Sequence, residues 1–334
     1  MSWDIGVDIG GTNIKVGVVD SRGRIVARRN LKTMADQGPH QALERLGQTI
    51  LALRRGKRVA SVGIGIAGLV DHKAGVVRLP PNLPGWHGTP VKKTIEDLTG
   101  LRVYCANDVN AVTLAEWLFG AGRGCKNLFC LTLGTGCGGG IIADGRPLIG
   151  ANHAAAELGH TIIFGDGPQC RCGGQGCLEC YVGAASIVER AKRKLRSQMK
   201  RLAGHKNQIA LFNGMESERP SLLFDMAGGN LNRLTTKEIG KAARAGDRLA
   251  LQVVDETGFY LGLGIANVVA LIDPERIVIG GGVSRIGPPL LQAVKQTVFG
   301  RIPIFSGRKL EIVLSELGTD AGIIGASQLR QFLG

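Results

Sequence analysis

One piece of syntax occurs twice in this chain and limits its folds more than anything else. WDIGVDI (3–9) reads as a short buried strand, GGTN (10–13) as a tight turn, and IKVGVVD (14–20) as a returning strand with alternating apolar residues. NLFCLTL (127–133), GTGCGG (134–139) and GIIADG (140–145) repeat the order of strand, glycine turn and strand, and again reach an aspartate. The repetition suggests two related halves, each starting with a phosphate-binding hairpin. Glycines let backbone approach a ligand closely and aim N–H donors at oxyanions. Gly10, Gly11 and Asn13 in the first turn and Gly134 and Gly136 in the second are the candidate backbone positions; Thr12 and Thr135 add hydroxyls. Asp8, beside the first turn, is placed to hold Mg²⁺ directly or through water.

Two glycine runs, GIGIAG (63–68) and GTGCGG, match the dinucleotide fingerprint. That fingerprint needs a helix opening directly behind it, whereas LVDHKAGVVRL and GIIADG follow here. A nicotinamide or flavin site is therefore not expected. No G-x-x-x-x-G-K-[ST] occurs, which excludes a P-loop at the motif level. The 334 residues suit two domains of ordinary size. The first residues, MSWDIGVD, carry no basic n-region, and the longest nearly apolar run, GFYLGLGIANVVALI (258–272), falls short of the ~18–20 residues a membrane span needs. A cytoplasmic protein with a buried helix at 258–272 and no membrane partner is expected.

The formal charge of +14 suggests an affinity for anions. Its densest part, RAKRKLRSQMKR (190–201), reads first as a solvated helix face, since no aromatic interleaving or recognition motif supports nucleic acid. Eight cysteines in a chain of this length do not read as a disulfide framework. Cys105, Cys125, Cys130 and Cys137 sit in apolar or glycine-rich surroundings and are expected to be buried thiols.

RLPPNLPGWHGTPV (78–91) forbids a long regular element, so Asn82 and Trp86 are placed on a loop, where ligand contacts concentrate. LRVYC (101–105) reads as a strand and VNAVTLAEWLFG (109–120) as a helix, with Asn107 and Asp108 at the junction. Asp108 is there either a functional carboxylate or a helix cap. Residues 205–233 are broken by glycine, proline and polar clusters and look like an insertion, after which LTTKEIGKAARAGD (234–247) reads as a capped helix start. RIVIGGGVS (276–284) is a buried strand ending in three glycines, another place for close ligand approach. Finally, HTIIFGDGPQCRCGGQGCLEC (160–180) packs one histidine, four cysteines and two carboxylates into one segment.

Taken in order, DIGGTNIK (8–15), GIAGLVD (65–71), PPNLPGW (80–86), ANDVNA (106–111), LGTGCGGG (133–140), AELGH (156–160), CRCGGQGCLE (170–179) and GGGVS (280–284) resemble the ROK family of sugar kinases. The resemblance covers nearly the whole chain. It implies an α/β fold with two RNase H-like domains of the actin and hexokinase ATPase type and a cleft between them. Residues 1–118, completed by the C-terminal helix at about 320–334, would form the small domain. Residues 119–319 would form the large one, with a zinc segment at 160–180 and an insertion near 203–234. By the same resemblance ATP phosphates lie on the two hairpins, adenosine lies near Gly281 and Gly282, and sugar hydroxyls meet Gly68, Asn82, Asn107, Asp108, Glu157, His160 and Glu179. Asp108 matches the family's catalytic base, and a homodimer is implied.

His160, Cys170, Cys172 and Cys177 then make a complete set for tetrahedral zinc, with no position left for catalysis, so the metal would be structural. Cys180 is surplus to that pattern. The segment lies apart in sequence from both phosphate hairpins, so zinc is expected to serve the sugar site more than the nucleotide site. PPNLPGW with the ND and ELGH pairs looks most like the branch that phosphorylates glucose with MgATP. An N-acetylhexosamine, mannose or fructose acceptor and polyphosphate as donor stay open. Repressors of the family carry a DNA-binding domain ahead of the first hairpin, which here begins at Asp8; no nucleic acid partner is expected.

Overall fold

The computed structural model describes residues 3–205, 220–301 and 309–333. The first half is built from β1 (Trp3–Ile9), β2 (Asn13–Val19), β3 (Ile25–Lys32), α1 (Pro39–Arg54), β4 (Val59–Ile66), a small hairpin β5 (Leu69–Asp71) and β6 (Val76–Leu79), α2 (Val91–Thr99), β7 (Val103–Asn107) and α3 (Asp108–Phe119). The second half follows with β8 (Leu128–Leu133), β9 (Cys137–Ala143), β10 (Arg146–Leu148), α4 (Glu179–Val182), α5 (Ala184–His205), α6 (Leu222–Met226), α7 (Thr236–Arg244), α8 (Arg248–Ile272), β11 (Arg276–Gly280), α9 (Pro288–Arg301) and β12 (Glu311–Leu314). The chain closes with α10 (Ala321–Ser327) and α11 (Arg330–Leu333).

The repeated syntax is a repeated sheet. The first runs β3-β2-β1-β4-β7 and the second β10-β9-β8-β11-β12. In each, the glycine turn joins an antiparallel pair, and two further strands add in parallel. Parallel strands buried on both faces need continuous apolar runs. VASVGIGI in β4 and RIVIG in β11 supply them, and their inner residues are buried. The expected strands over 3–9, 14–20, 127–133 and 276–280 are all present, and neither GIGIAG nor GTGCGG opens a helix.

α3 stands between the sheets, packed against β8 and β9 on one side and α10 on the other. α10 lies on β1, β2 and β4, so the C-terminus returns to the first sheet. Glu116 of α3 is completely buried where the chain crosses twice between the halves. It accepts from Ala121 N at 2.9 Å on the first crossing, and from Ser315 Oγ at 2.6 Å and Leu317 N at 3.0 Å on the second. Satisfied on all sides, this carboxylate fastens both crossings to one helix.

α7 starts as expected, with Thr235 and Glu238 forming a capping box. α8 extends the expected buried helix to 25 residues; it is long and apolar enough to cross a membrane, yet buries twelve of its residues inside the protein. The basic run lies on α5, and two expectations change there. Arg190 is not on a solvated face: it is buried, donating to Thr257 Oγ1 at 2.9 Å and Tyr181 O at 2.7 Å and stacking over Tyr260. Lys192 and Arg196 pair with Glu189, so part of the charge is spent internally. Residues 206–219 of the proposed insertion lie outside the described residues; of the remainder, Leu223 and Leu234 are buried in the second core.

Candidate functional site

Both glycine turns open onto one cavity of about 350 Å³. The first turn is closed by Gly10 N–H on Asn13 O at 3.1 Å and braced by buried Thr33, whose hydroxyl donates to Gly10 O. The second is closed by Gly134 N–H on Gly136 O at 2.9 Å. Gly10, Gly11, Gly134, Thr135, Gly136 and Gly281 line the cavity, as do all seven residues the resemblance gave to sugar: Gly68, Asn82, Asn107, Asp108, Glu157, His160 and Glu179. Gly281 has φ +86°, and a Cβ there would fall 2.3 Å from Leu133 O, so only glycine fits.

Four expected phosphate residues are not among the cavity's lining: Asp8, Thr12, Asn13 and Gly282. Thr12 and Asn13 are exposed at the outer side of the first turn, and Gly282 starts the short 3-10 turn Val283–Ile286. Asp8 sits behind the turn, where its Oδ2 accepts from Lys15 Nζ at 2.9 Å; the two residues are cross-strand partners. Its charge still reaches Asp108.

Asp108 opens α3 where β7 ends. The capping role weighed for it belongs to Asn107, whose side-chain oxygen accepts from Val109 N at 2.8 Å and Asn110 N at 3.2 Å. Asn107 Nδ2 also donates to Gly68 O at 2.9 Å, which ties three of the expected sugar residues together. Asp108 shares the Val109 amide through Oδ1 at 3.0 Å, and its carboxylate lines the cavity from a rigid junction. Burial, then the charge of Asp8 and, less, that of Glu157, push its carboxyl up to about 6. Burial likewise raises Glu157, with His160 opposing and Glu179 adding to the rise.

Trp86 lies on the loop expected from sequence, between β6 and α2, but is not among the cavity's lining. It is completely buried in the first core with Leu83, so it shapes the loop rather than the cavity. Asn82 from the same loop is exposed at the cavity rim. The sequence also gave no sign of Asp71 and His153. They meet across the halves, Oδ1 to Nε2 at 3.7 Å, with His72 edge-on to His153. Two sequence-distant residues of this kind carry no local pattern.

His160, Cys170, Cys172 and Cys177 converge with every ligand atom within 4.8 Å of the others. Tetrahedral zinc with ~2.3 Å Zn–S and ~2.05 Å Zn–N bonds puts ligand atoms roughly 3.6–3.8 Å apart. Cys172 Sγ and Cys177 Sγ are 3.7 Å apart, and Cys170 Sγ and His160 Nδ1 are 3.8 Å apart. The donor set therefore fits zinc in chemistry and in size. A Gly174 N–H on Cys172 Sγ, chiefly, lowers that thiol's pKa, whereas burial and then the neighbouring thiols push Cys177 up to about 12, so without a cation the set does not ionise together. Cys180 stands outside this set, with Sγ near Gln169 O. Cys105, Cys125, Cys130 and Cys137 are buried free thiols as expected, and burial pushes three of them, Cys105, Cys130 and Cys137, up to about 12.

The segment's separation from the phosphate hairpins holds only in sequence. Glu179 Oε2 accepts from Cys137 N at 2.9 Å, Ala184 N donates to Gly134 O at 2.9 Å, and Gly159 packs against Cys137 O. The folded segment thus supports the second phosphate turn as well as the sugar-facing residues.

Comparison with known proteins agrees with this geometry. The model of the ROK family matches residues 4–332. A glucokinase of Thermotoga maritima is 37% identical over 97% of this chain and 96% of its own length. A ROK family glucokinase from Streptomyces griseus, solved with glucose and AMPPNP, superposes with a TM-score of 0.81 at 34% identity, covering 98% of this chain and 99% of that one. A ROK family transcriptional regulator homologous to the E. coli MLC protein superposes with a TM-score of 0.83 at 27% identity, covering 99% of this chain and 78% of that one. With a near-complete match in sequence and the two-sheet fold of the actin- and hexokinase-type ATPases, the chain belongs to the ROK family.

Proposed function

We propose that this protein is an ATP-dependent sugar kinase whose preferred acceptor is glucose, converted to glucose 6-phosphate, with Asp108 as general base. Kinases and regulators of the family share the fold, so fold alone does not carry the reading. Asp108 carries it: a carboxylate pushed up to about 6, in one cavity with two phosphate-type turns and the Glu157, His160 and Glu179 group. The glucokinase relatives support ATP and glucose as substrates.

In this reading Asn82, Asn107, Glu157, His160 and Glu179 orient the sugar hydroxyls. Asp108 accepts the proton of the attacking hydroxyl as the new O–P bond forms and the bond from the γ-phosphorus to the bridging oxygen of ADP breaks. Backbone N–H groups of Gly11, Thr135 and Gly136, which the turns' own closing bonds leave free, stabilise charge on the transferred group, and adenosine lies beside Gly281 and Gly282. Mg²⁺, when bound, supplies neutralisation of the phosphate oxygens; Asp8 would hold it, its oxygen now facing Lys15. His160 through Nδ1 and the three thiolates would hold a structural zinc, leaving Nε2 for the sugar.

The proposal extends to a boundary near 118/119, with 320–334 completing the first domain, which the packing of α10 on β1 and β4 supports. It also includes a cytoplasmic setting, favoured by eight free thiols, and a homodimer. For the dimer, exposed Ile162 and Leu271 flanking Asn267 offer an apolar surface. The test is ³¹P NMR of protein, MgATP and glucose: ADP and glucose 6-phosphate should appear in equal amounts. ADP and free phosphate without sugar phosphate would refute the reading.

A further inference from the structure

Glu179 touches two functions at once. It starts α4, and its Oε2 is bonded to the Cys137 amide at the end of the second phosphate turn. The fit is tight: a Cβ on Gly136 would lie 2.3 Å from that oxygen. The same side chain lines the cavity beside Glu157 and His160. A carboxylate has two oxygens and about four acceptor sites, so one bond to the turn leaves capacity for a sugar hydroxyl. Glu157, its neighbour in the cavity, has no comparable bond to the turn among the described residues.

We propose that Glu179 is a positioning residue for the nucleotide side: its carboxylate fixes the Gly134–Cys137 backbone so that the turn's amides are aimed before phosphate arrives. Because the same carboxylate faces the acceptor, a bound sugar holds it in place and tightens nucleotide binding, and by linkage nucleotide tightens sugar binding equally. The role rests on the kinase reading only in assuming that a nucleotide phosphate occupies the turn.

The test is calorimetric titration of Mg²⁺ and AMPPNP without sugar, on metal-replete wild type, Glu179→Ala, Glu179→Gln and Asp97→Ala. A hydrogen bond to a charged group is worth ~1.5–3 kcal/mol, so Glu179→Ala should weaken AMPPNP about 10–100-fold. Glu179→Gln keeps a neutral acceptor for the Cys137 amide and should lose less than Glu179→Ala, about 5–10-fold by the same energetics. Asp97→Ala, an exposed carboxylate on α2 outside the cavity's lining, should leave sugar-free AMPPNP binding unchanged. Gly136→Ala gives a second line, needed if Glu179→Ala does not fold. Its methyl group displaces the carboxylate, so it should weaken AMPPNP in the wild-type background and add nothing to Glu179→Ala. Wild-type affinity in Glu179→Ala, or in Gly136→Ala, would overturn the inference, and so would simple addition of the two losses. Wild type that binds no AMPPNP would sink the kinase reading itself, a result distinct from unchanged affinity among the variants.

Discussion

Asp108 is the residue on which the chemistry turns, and its surroundings set the pH at which it works. Its carboxyl is raised to about 6, so it is protonated, and unable to take the acceptor's proton, below that value. Turnover at saturating substrates should be full near pH 7.5 and fall as pH drops through about 6; initial rates between pH 5 and 8 measure this. A rate that stays level down to pH 5 would mean that burial does not govern the base. Asp108→Asn keeps the shape and removes the base. Positioned bases contribute ~10²–10⁴-fold, so kcat should fall by that order while glucose affinity measured by calorimetry changes little. At this scale the sequence was readable where a motif fixes both residue type and spacing: ND at 107–108, ELGH and the three zinc-type cysteines converge as expected. It was misread where neighbours trade roles. Asn107 rather than Asp108 caps α3, and Trp86 turns inward because a large apolar ring gains more in the core than on a loop.

Hairpins with apolar alternation and glycine turns are the elements most legible in sequence, because the period and the turn residues are local. β3 and β10 escape for the opposite reason. β3 is an edge strand with a mostly exposed IVARRNLK pattern, and β10 has three residues. The role of α10 is also invisible locally. Its backbone carbonyls pack directly onto glycines of the first sheet, so that a Cβ on Gly63 would fall 1.7 Å from Ala326 O. The zinc-type segment shows how sequence distance misleads. Read linearly it serves the sugar site more than the nucleotide site; folded, it holds the second phosphate turn through Glu179, and Ala184 of the following helix adds a second bond. Cys172→Ala should therefore abolish tight zinc by mass spectrometry and weaken both glucose and AMPPNP, each by at least ~10-fold, the scale seen when even outer support of a metal site is lost. Retained zinc, or loss confined to glucose, would contradict the shared foundation.

On the scale of the whole molecule, two sheets of identical order face one cavity, and the groups proposed to hold sugar are divided between them. Asn82 and Asp108 come from the first half, and Glu157, His160 and Glu179 from the second. A ligand touching both halves should draw them together and exclude water from the transfer. Glu116, bonded to both chain crossings, is placed to act as the pivot. Small-angle scattering should show a smaller radius of gyration at saturating glucose; an unchanged profile would argue for a preformed cleft. The most direct test of the proposed activity is the initial rate of ADP formation with MgATP across glucose, mannose, fructose, N-acetylglucosamine and N-acetylmannosamine. Glucose is expected to give the highest kcat/KM, and a higher value for an N-acetylated hexosamine, or no sugar-dependent ADP formation at all, would contradict it.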